Sequence, residues 1–401
     1  MNFKLYRIKA LDFFSFGGLQ NFAAGETSFR SGKFPPEVSR FFHLIDLEEA
    51  TVTAVLLMKN GKFYLPVPAD WSVPRKGEPG AVKTNFLGFQ SWNPTDERLK
   101  SLLPKKGEVF FDANEVTLDN LPYLDENNIP KREATSGWVP FEVAKTYLGK
   151  GVLESSVESG QIKKQMSSSE LKVGLTLEKN TFTAEEQRLY FEFVERLTLP
   201  SDEKDTKALW EEVYLALLVG SRSNTEPIKE GYYFVGGETR VGKVEKIVEN
   251  HNDAENFLKL LNSKVKVEKE KLYKFLILSH TFVKEGIKIG KQVRLTSSSS
   301  SESGNLTEVT FRVKWIFTTG REWLSGFNKP AIEVLQPGTV LVVEANNASS
   351  TELSKGTFLK EETPEVIQKW FKTQSKRKVE FPHFHEYGFN FGILIPLEGN
   401  N

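Results

Sequence analysis

The most informative stretch of this sequence reads Lys172-Val173-Gly174-Leu175 and runs on to Thr183-Ala184-Glu185-Glu186 and Leu189-Tyr190. Two other unusual motifs stand at compatible distances from it. They are Phe34-Pro35-Pro36 near the N-terminus and Gly236-Gly237-Glu238-Thr239-Arg240 past the middle. Each motif alone is nonspecific, because glycine pairs and Phe-Pro-Pro turns occur by chance in many folds. Their order along one chain restricts the interpretation much more than any single motif does.

The composition limits the class of protein. A chain of 401 residues with 39% hydrophobic content can build a sizeable core and favours two domains. The sequence contains no Cys, which rules out disulfides and Cys-ligated metal. No apolar run is long enough to span a bilayer, and the alternating start of the chain is not typical of a signal peptide. We therefore expect a soluble, cytoplasmic protein with no membrane partner.

The charges balance, because 53 Lys and Arg residues stand against 53 Asp and Glu residues. Contact with nucleic acid would therefore have to come from local basic patches, not from a uniformly basic surface.

The hydrophobic pattern of the first half predicts strand, helix, strand and strand. In order, these are a strand through Phe3, Leu5 and Ile8, a helix that begins at Pro35-Pro36-Glu37 and carries Val38, Phe41, Phe42 and Ile45 on one side, and strands at 51–58 and 62–67 around an Asn60-Gly61 turn. A helix at 184–190 and a strand at 191–197 would complete a ferredoxin-like unit. Residues 71–170, rich in Pro, Gly and Asn with a short helix at 140–148, are interpreted as an insertion projecting from a domain of residues 1–200.

The second half, residues 201–401, is predicted to be a separate and mainly β domain. A polar segment, Ser201-Asp202-Glu203-Lys204-Asp205, follows Pro200 and marks the boundary, and the chain turns apolar again at 210–219. Predicted strands lie at 232–235, 272–282, 309–318, 339–343 and 391–395, with a helix at 364–371. The fold class is therefore α+β.

Further motifs join the first three. They are Leu11-Asp12-Phe13-Phe14, Ala24-Gly25-Glu26, and Pro330 with Pro337-Gly338-Thr339-Val340. As a set, they resemble the family of third subunits of the Cmr complex, the type III-B CRISPR effector, within the RAMP superfamily. The resemblance implies two ferredoxin-like (RRM-like) RAMP domains that hold the 5′ repeat-derived tag of CRISPR RNA and dock against the large polymerase-like subunit and the first backbone subunit. It implies no catalysis, no cofactor and no metal.

The sequence departs from the family pattern in two places. Related chains often have an Arg-Asp-Gly type turn after the first aromatic pair, where this chain has Ser15-Phe16-Gly17-Gly18. The helix after the Phe-Pro-Pro motif begins Glu37-Val38-Ser39-Arg40 where small residues and a glycine are usual. Arg40 is a candidate to replace the missing basic contact.

The loop after the first strand combines glycines with aromatic rings. Backbone amides at glycines can bind phosphates, and exposed rings can stack on bases. Most of the aromatic residues here are expected in the core, and Phe16 and Phe22 are expected to be exposed. The predicted RNA-binding residues of this region are Phe16, Gly17, Gly18, Phe22, Arg30, Lys33 and Arg40.

Residues 237–243 have the spacing of a phosphate-binding P-loop, but Val244 stands where Ser or Thr would hold magnesium. The residues before the motif, 232–235, favour a strand, and residues 241–248 favour a strand or turn instead of a helix, so nucleotide hydrolysis is a poor interpretation. Gly236, Gly237, Arg240 and Lys243 are predicted to contact an RNA backbone. The alternative is a glycine-rich hairpin with solvated basic residues.

Histidines raise other possibilities. His383 and His385 share one face of an extended segment ahead of Gly388, but no third metal ligand is evident, so contact with RNA or simple packing is expected. Some RAMP proteins use a histidine to cleave RNA, which makes an endoribonuclease that processes CRISPR repeat RNA the alternative function; His43 and His280 are its candidates, although buried or capping roles are favoured for both.

Two more interpretations stay open. Lys264, Lys266, Lys269, Lys271 and Lys274 form a basic stripe that could face phosphate or simply be solvated. A protein-only adaptor that docks through residues 71–170 is a third candidate function.

Overall fold

The computed structural model describes residues 2–16, 28–30, 34–74, 83–84, 132–151, 153, 157–177, 184–200, 210–223, 225–236, 240–247, 252–298, 306–318, 320–326, 329–346, 351–374 and 378–397. Strands dominate these ranges and helices are few, so the α+β prediction is confirmed in a β-rich form. No helix of the described ranges has the length and apolar character needed to cross a membrane.

The strands, in chain order, are β1 (Asn2–Ala10), β2 (Ser28–Arg30), β3 (Ala50–Lys59), β4 (Lys62–Pro66), β5 (Trp71–Pro74), β6 (Lys83–Thr84), β7 (Arg132–Ala134), β8 (Trp138–Pro140), β9 (Ser168–Leu177), β10 (Ala184–Arg196), β11 (Thr198–Pro200), β12 (Trp210–Ser221), β13 (Gly231–Phe234), β14 (Val241–Lys246), β15 (Lys264–Val267), β16 (Leu272–Ile277), β17 (Gln292–Ser298), β18 (Leu306–Phe317), β19 (Arg321–Gly326), β20 (Lys329–Leu335), β21 (Val340–Ala345), β22 (Thr351–Ser354), β23 (Gly356–Lys360) and β24 (Phe391–Pro396). The α-helices are α1 (Phe141–Lys150), α2 (Asn252–Asn262) and α3 (Glu365–Gln374), and 3-10 helices span Val38–Leu44, Ser159–Gln161 and Phe384–Tyr387.

An eight-stranded sheet forms the centre of the molecule. Its order is β13-β14-β1-β12-β3-β4-β8, with β11 paired to β12, and every neighbouring pair is antiparallel. Strand β12 occupies the middle because it is apolar on both sides: Leu215 and Leu217 lie in one core, and Ala216 and Leu218 lie in the other. Strands β12, β13 and β14 follow residue 200, so this sheet runs across the predicted domain boundary.

The second half of the chain closes into a barrel. Strands β16, β21, β18, β17, β23 and β24 pair in a closed circuit, where an open ferredoxin-like sheet was expected. Alternation along β16 explains its double role, because Phe275 and Ile277 fill the barrel while Leu276 joins the core shared with the central sheet. The barrel thus packs on one face of the sheet, and the 3-10 helix Val38–Leu44 and α3 pack on the other.

A fully buried ion pair joins the barrel to the sheet region. Lys274 on β16 lies 2.6 Å from the Asp70 carboxylate, and Tyr147 on α1 donates a hydrogen bond of 2.8 Å to the same carboxylate. Burial lowers the pKa of Lys274, and the Asp70 charge opposes part of that effect. Lys274 also donates to the carbonyl oxygen of Gly151 at 2.7 Å. The prediction that Lys274 belongs to a surface stripe was therefore wrong, although Lys264 and Lys266 are exposed on β15.

Two local predictions in the first half need correction. Residues 184–190 were expected to form a helix, but they begin the long strand β10, which pairs with β9 and β2. Strand β8 and helix α1 were placed in a projecting insertion, yet β8 pairs with β4, and Val139, Phe141 and Tyr147 lie in the main core. The predicted helix at 140–148 and the hairpin at Asn60-Gly61 are confirmed.

Candidate nucleic-acid interface

Two cations from distant parts of the chain lie over the ring of Phe13. The ammonium of Lys172, on β9, is 3.1 Å from the ring centroid, and the guanidinium carbon of Arg240 is 3.9 Å from it. The ring is buried to 1% exposure, so the cations cover it. Each cation–π contact of this kind stabilises the fold by about 0.5–2 kcal/mol, depending on its solvation.

Acidic residues hold part of this cationic group in place. Arg196 on β10 makes a two-point contact with Glu170, at 2.6 and 3.1 Å, and reaches Asp12 at 3.4 Å. The hydrogen bond from Arg196 lowers the pKa of the Glu170 carboxyl. Asp12 also lies 4.0 Å from Lys172. We call Asp12, Phe13, Lys172, Arg196 and Arg240 the Phe13 cluster.

Backbone hydrogen bonds fix the segment that carries Phe13. Phe14 and Glu195 exchange two bonds of 2.8 Å, which attach this segment to β10. The side chain of Glu195 is buried and accepts hydrogen bonds from Ser167, at 2.6 Å, and from Ser169. The Leu11-Asp12-Phe13-Phe14 motif and the block that begins at Lys172 are therefore held together by the fold.

Gly236 packs directly against the same segment. Its φ of +85° lies in the left-handed region, and a Cβ there would stand 2.6 Å from the carbonyl oxygen of Ser15. The same Cβ would be 3.3 Å from the ring of Phe16. Only glycine fits this turn without moving the neighbouring backbone.

Phe16 was expected to be exposed, and that expectation was wrong. The ring is 1% exposed and packs against Phe14 and Phe41, with centroid distances of 5.3 and 6.4 Å. The close approach of Gly236 completes its burial. This ring is not available to stack on a base in the described conformation.

The Phe-Pro-Pro motif borders this region. Phe16, Pro35, Pro36, Glu37 and Arg40 line one small cavity together with Glu322 and Leu324. Arg40 lies 3.4 Å from the buried carboxylate of Glu37, which also accepts a hydrogen bond of 2.9 Å from Ser39. Arg40 is therefore close to Phe16 but is held by an acidic neighbour.

The remaining predicted residues divide into three groups. Lys243 lies on β14, 2.6 Å from Glu245, and β14 is a strand where a strand or turn was favoured over a helix. Arg30 lies in β2, which pairs with β10. Gly17, Gly18, Phe22, Lys33 and Gly237 lie outside the described residues.

The C-terminal histidines do not join the Phe13 cluster. His385 is buried beside Phe358, and burial lowers its pKa to about 3, so the imidazole is neutral. His383 contacts Glu386 at 3.2 Å. Gly388, with φ +90°, packs against β3, where a Cβ would collide with the carbonyl oxygen of Val52. Among the described residues no cluster of three or more His, Asp or Glu side chains could hold a metal.

The two histidines considered for RNA cleavage have different surroundings. His280 is 3% exposed and lies 3.2 Å from Glu322. His43 is exposed, so of the two roles expected for it, buried or capping, the buried one is excluded, and its ring bonds to the carbonyl oxygen of Phe234 at 2.6 Å. The contact between His43 and Phe234 links the 3-10 helix after the Phe-Pro-Pro motif to β13.

Sequence reasoning missed Lys172 and Arg196 as members of the basic group. Lys172 opens the Lys-Val-Gly-Leu block, which had been used only as a motif. Arg196 falls in a segment predicted to be a strand, but the register that places it beside Glu170 and Asp12 is not visible in the sequence. Four separate motif segments, which begin at Leu11, Phe34, Lys172 and Gly236, thus meet in one region.

Comparison with known proteins gives one family. Residues 16–397 match the family model described as CRISPR-associated protein (Cas_Cmr3). Two solved chains also align. One comes from "Cryo-EM structure of the Type III-B Cmr-beta bound to cognate target RNA and AMPPnP, state 1", with 14% identity, 84% of this chain and 86% of that chain covered, and a TM-score of 0.36. The other, from "Cryo-EM structure of the Type III-B Cmr-beta bound to cognate target RNA", has 13% identity, the same coverage and the same TM-score. No curated protein sequence matches the chain.

Proposed function

The chain belongs to the CRISPR-associated Cas_Cmr3 family, and from this premise we propose that it is the RNA-binding subunit of a type III-B effector that holds the 5′ repeat-derived tag of CRISPR RNA. In this proposal it also links the large polymerase-like subunit to the first backbone subunit, in the cytoplasm. It acts as a noncatalytic part of the ribonucleoprotein.

The convergence of the motif segments carries the RNA-binding part of the proposal. Lys172 and Arg240 come from segments far apart in sequence, yet both lie on the ring of Phe13. Cations fixed in place on a rigid support lose little conformational entropy when they bind phosphate, so this arrangement suits contact with an RNA backbone. Asp12 and Glu170 set the positions of Lys172 and Arg196 and limit the net positive charge.

The topology of the central sheet supports a ferredoxin-like origin for that sheet. Strands β1 and β3 are both antiparallel to β12, which lies between them, so they run in the same direction with the 3-10 helix in their connection. This is the split β-α-β arrangement of ferredoxin-like domains. On this basis we propose that the central sheet, which takes β12 from beyond residue 200, belongs to a modified RAMP domain.

Purification of the tagged protein from its native cells tests the proposed function first. Mass spectrometry of the partners and sequencing of bound RNA with its 5′ ends preserved should recover effector subunits and short RNAs that share one repeat-derived 5′ end. Recovery of the protein without RNA would contradict the tag-holding role. Cleavage of repeat RNA by the purified chain, lost on H43A or H280A substitution, would favour the endoribonuclease.

A paired substitution tests the Phe13 cluster itself. Lys172→Ala with Arg240→Ala should reduce the tagged RNA recovered by tenfold or more, because each lost phosphate contact weakens binding at physiological salt by roughly 1 kcal/mol. Lys259→Ala is the matched control, since Lys259 is an exposed cation paired with one carboxylate, Glu255, on helix α2. Equal RNA recovery from both variants would remove the Phe13 cluster from the RNA interface.

A further inference from the structure

Strand β13 exposes two aromatic rings on one face of the central sheet. Tyr232 and Phe234 are 65% and 63% exposed, the highest values among the large apolar side chains that the structure describes. They alternate with the less exposed Gly231 and Tyr233, so both rings point to the same side. Solvent exposure of aromatic rings at alternate positions of a strand is energetically unfavourable, and such rings often mark a binding surface.

The cross-strand register places cations beside these rings. Tyr232 lies opposite Lys243 on β14, and Lys243 lies opposite Lys9 on β1. Directly opposed residues of antiparallel strands share a face, so Tyr232, Lys243 and Lys9 form one row across three strands. Arg7 lies two residues along β1 and stands over the ring of Tyr214 at 5.2 Å. We call Arg7, Lys9, Tyr232, Phe234 and Lys243 the β13 face.

Carboxylates orient these cations without cancelling them. Glu245 lies 2.8 Å from Arg7 and 2.6 Å from Lys243, and Glu212 lies 2.6 Å from Lys9. Because Glu245 serves two cations, the cations of this face outnumber its carboxylates by one. The face therefore combines aromatic rings with a local positive charge, although the chain as a whole is neutral.

The sequence of β13 matches part of a known RNA-stacking motif. The RNP1 motif of RRM domains reads Lys or Arg, Gly, aromatic, Gly or Ala, Phe, Val, any residue, aromatic, and its aromatic residues stack on bases. Of the five consecutive residues 231–235, four agree with the motif, namely Gly231, Tyr232, Phe234 and Val235, and Tyr233 departs from it. Glu230 and Gly237 depart from the first and last positions. The two stacking positions within the matched part are the exposed rings.

The spacing of the rings suits separated bases. Residues two apart on a strand are about 6.6 Å apart, which is about twice the 3.4 Å rise of stacked bases. An RNA strand whose bases are splayed apart could therefore place one base on each ring. Stacking of this kind tolerates any sequence because every base has a flat π-face.

We propose that the β13 face binds single-stranded RNA, with one unpaired base stacked on Tyr232, the next on Phe234, and the phosphates beside Lys243 and Lys9. This extends the proposed function and rests on it, because it adds a second contact surface for the RNA that the subunit holds. The face is distinct from the Phe13 cluster, whose ring is covered by cations and cannot stack on a base.

Anisotropy titration of the full-length protein with a short labelled oligouridylate tests the proposal. Tyr232→Ala with Phe234→Ala should weaken binding by at least about tenfold, given the contribution of base–aromatic stacking. Tyr232→Phe with Phe234→Tyr, which keeps both rings, should bind within about twofold of the wild type because the stacking surfaces remain. Lys243→Ala should lower the slope of log affinity against log salt by about one. Unchanged melting curves would show that these exposed substitutions leave the fold intact.

The outcomes separate this proposal from the proposed function. If the wild-type protein binds no RNA, alone or in its native complex, both fail. If the wild type binds and the double alanine variant binds equally well, the β13 face fails while RNA binding elsewhere survives. If that variant keeps its RNA affinity but loses subunits on purification, the face is a protein interface, which also overturns the proposal.

Discussion

Within the described ranges, Lys172 and Lys274 both lie over aromatic rings, and their surroundings give them opposite roles. Lys274 stands 4.9 Å from the Tyr147 ring centroid inside the core, fully buried and paired with Asp70. Lys172 stands 3.1 Å from the Phe13 ring centroid at the surface, with 38% of its side chain exposed. The first contact fixes the packing of the barrel against α1, and the second keeps a cation available to solvent. The ring alone does not decide the role of a lysine; burial and the nearest carboxylate do.

The sharpest test of this comparison removes the buried countercharge. Asp70→Asn should destabilise the protein by about 3–5 kcal/mol, because it leaves the Lys274 cation buried without a charged partner. Urea unfolding of the full chain measures this loss. Adding Lys274→Met should restore most of the stability, since an apolar side chain of similar length needs no countercharge.

The matched surface control is Glu255→Gln, which removes an exposed partner of Lys259 on α2. Its effect should stay within about 0.5 kcal/mol. A loss below about 1 kcal/mol for Asp70→Asn would mean that the buried pair does not hold the barrel in place.

A second interior group extends the comparison to pH. Burial lowers the pKa of His385 from 6.5 to about 3, so the unfolded chain binds a proton that the folded chain does not. The stabilisation is complete above pH 6.5 and is lost as pH falls toward 3, with a slope of about 1.4 kcal/mol per pH unit. Unfolding free energies measured across this window should show the slope, and His385→Leu should remove this contribution. An unchanged slope in that variant would assign the acid sensitivity to other groups.

Substitution of Gly236, in the turn beside the Phe13 cluster, should give an intermediate loss of stability. Gly236→Ala should cost about 1–3 kcal/mol, because its φ of +85° disfavours a side chain and the new Cβ would stand 2.6 Å from the Ser15 carbonyl oxygen. Gly160→Ala is the control, since a Cβ there meets nothing within 4 Å and its φ is not in the left-handed region. Equal melting temperatures for the two variants would show that the turn is not tightly packed.

The smallest change in stability is expected at the surface ion pair between Arg196 of the Phe13 cluster and Glu170. The hydrogen bond from Arg196 lowers the pKa of Glu170 below its ordinary 4.5, so the stabilisation is present above pH 4.5 and is lost as pH falls through the folded value. With 42% of the Glu170 side chain exposed, solvent screening limits the contribution to about 0.5 kcal/mol or less. The difference in stability between the wild type and Glu170→Gln should therefore shrink at low pH and at high salt. A difference above 1 kcal/mol would mean that the surface cluster behaves like the interior pair.

Local signals predicted the local elements well. The Asn60-Gly61 turn predicted the β3–β4 hairpin, and the flanks of the glycine-rich motif predicted β13 and β14. The Ala-Glu-Glu-Gln-Arg run at 184–188 favours a helix by propensity, but it lies in the long strand β10, which pairs with β9 on both sides of the run, at Ala184 and again from Leu189. Tertiary pairing of this kind, like the closure of the barrel, depends on segments far apart in sequence.

In the candidate site, too, the sequence predicted individual residues but not the long-range contacts between them. The motifs predicted that Gly236 and Arg240 matter, but not that Arg240 would cover Phe13 or that Phe16 would be buried. Lys274 was grouped with Lys264 and Lys266 because all of them alternate with apolar residues. Residues 268–271 separate β15 from β16 and interrupt the alternation. The exposure of Lys264 and Lys266 on β15 therefore does not predict the exposure of Lys274 on β16.

The barrel circuit has a consequence for protein synthesis. Strand β24 joins β16 to β23, and it is the last strand of the circuit to leave the ribosome. Until then a nascent chain carries two unpaired strand edges that can pair with another chain. Synthesis of β24 therefore ends the exposure of both edges at once, because this one strand pairs with β16 and with β23.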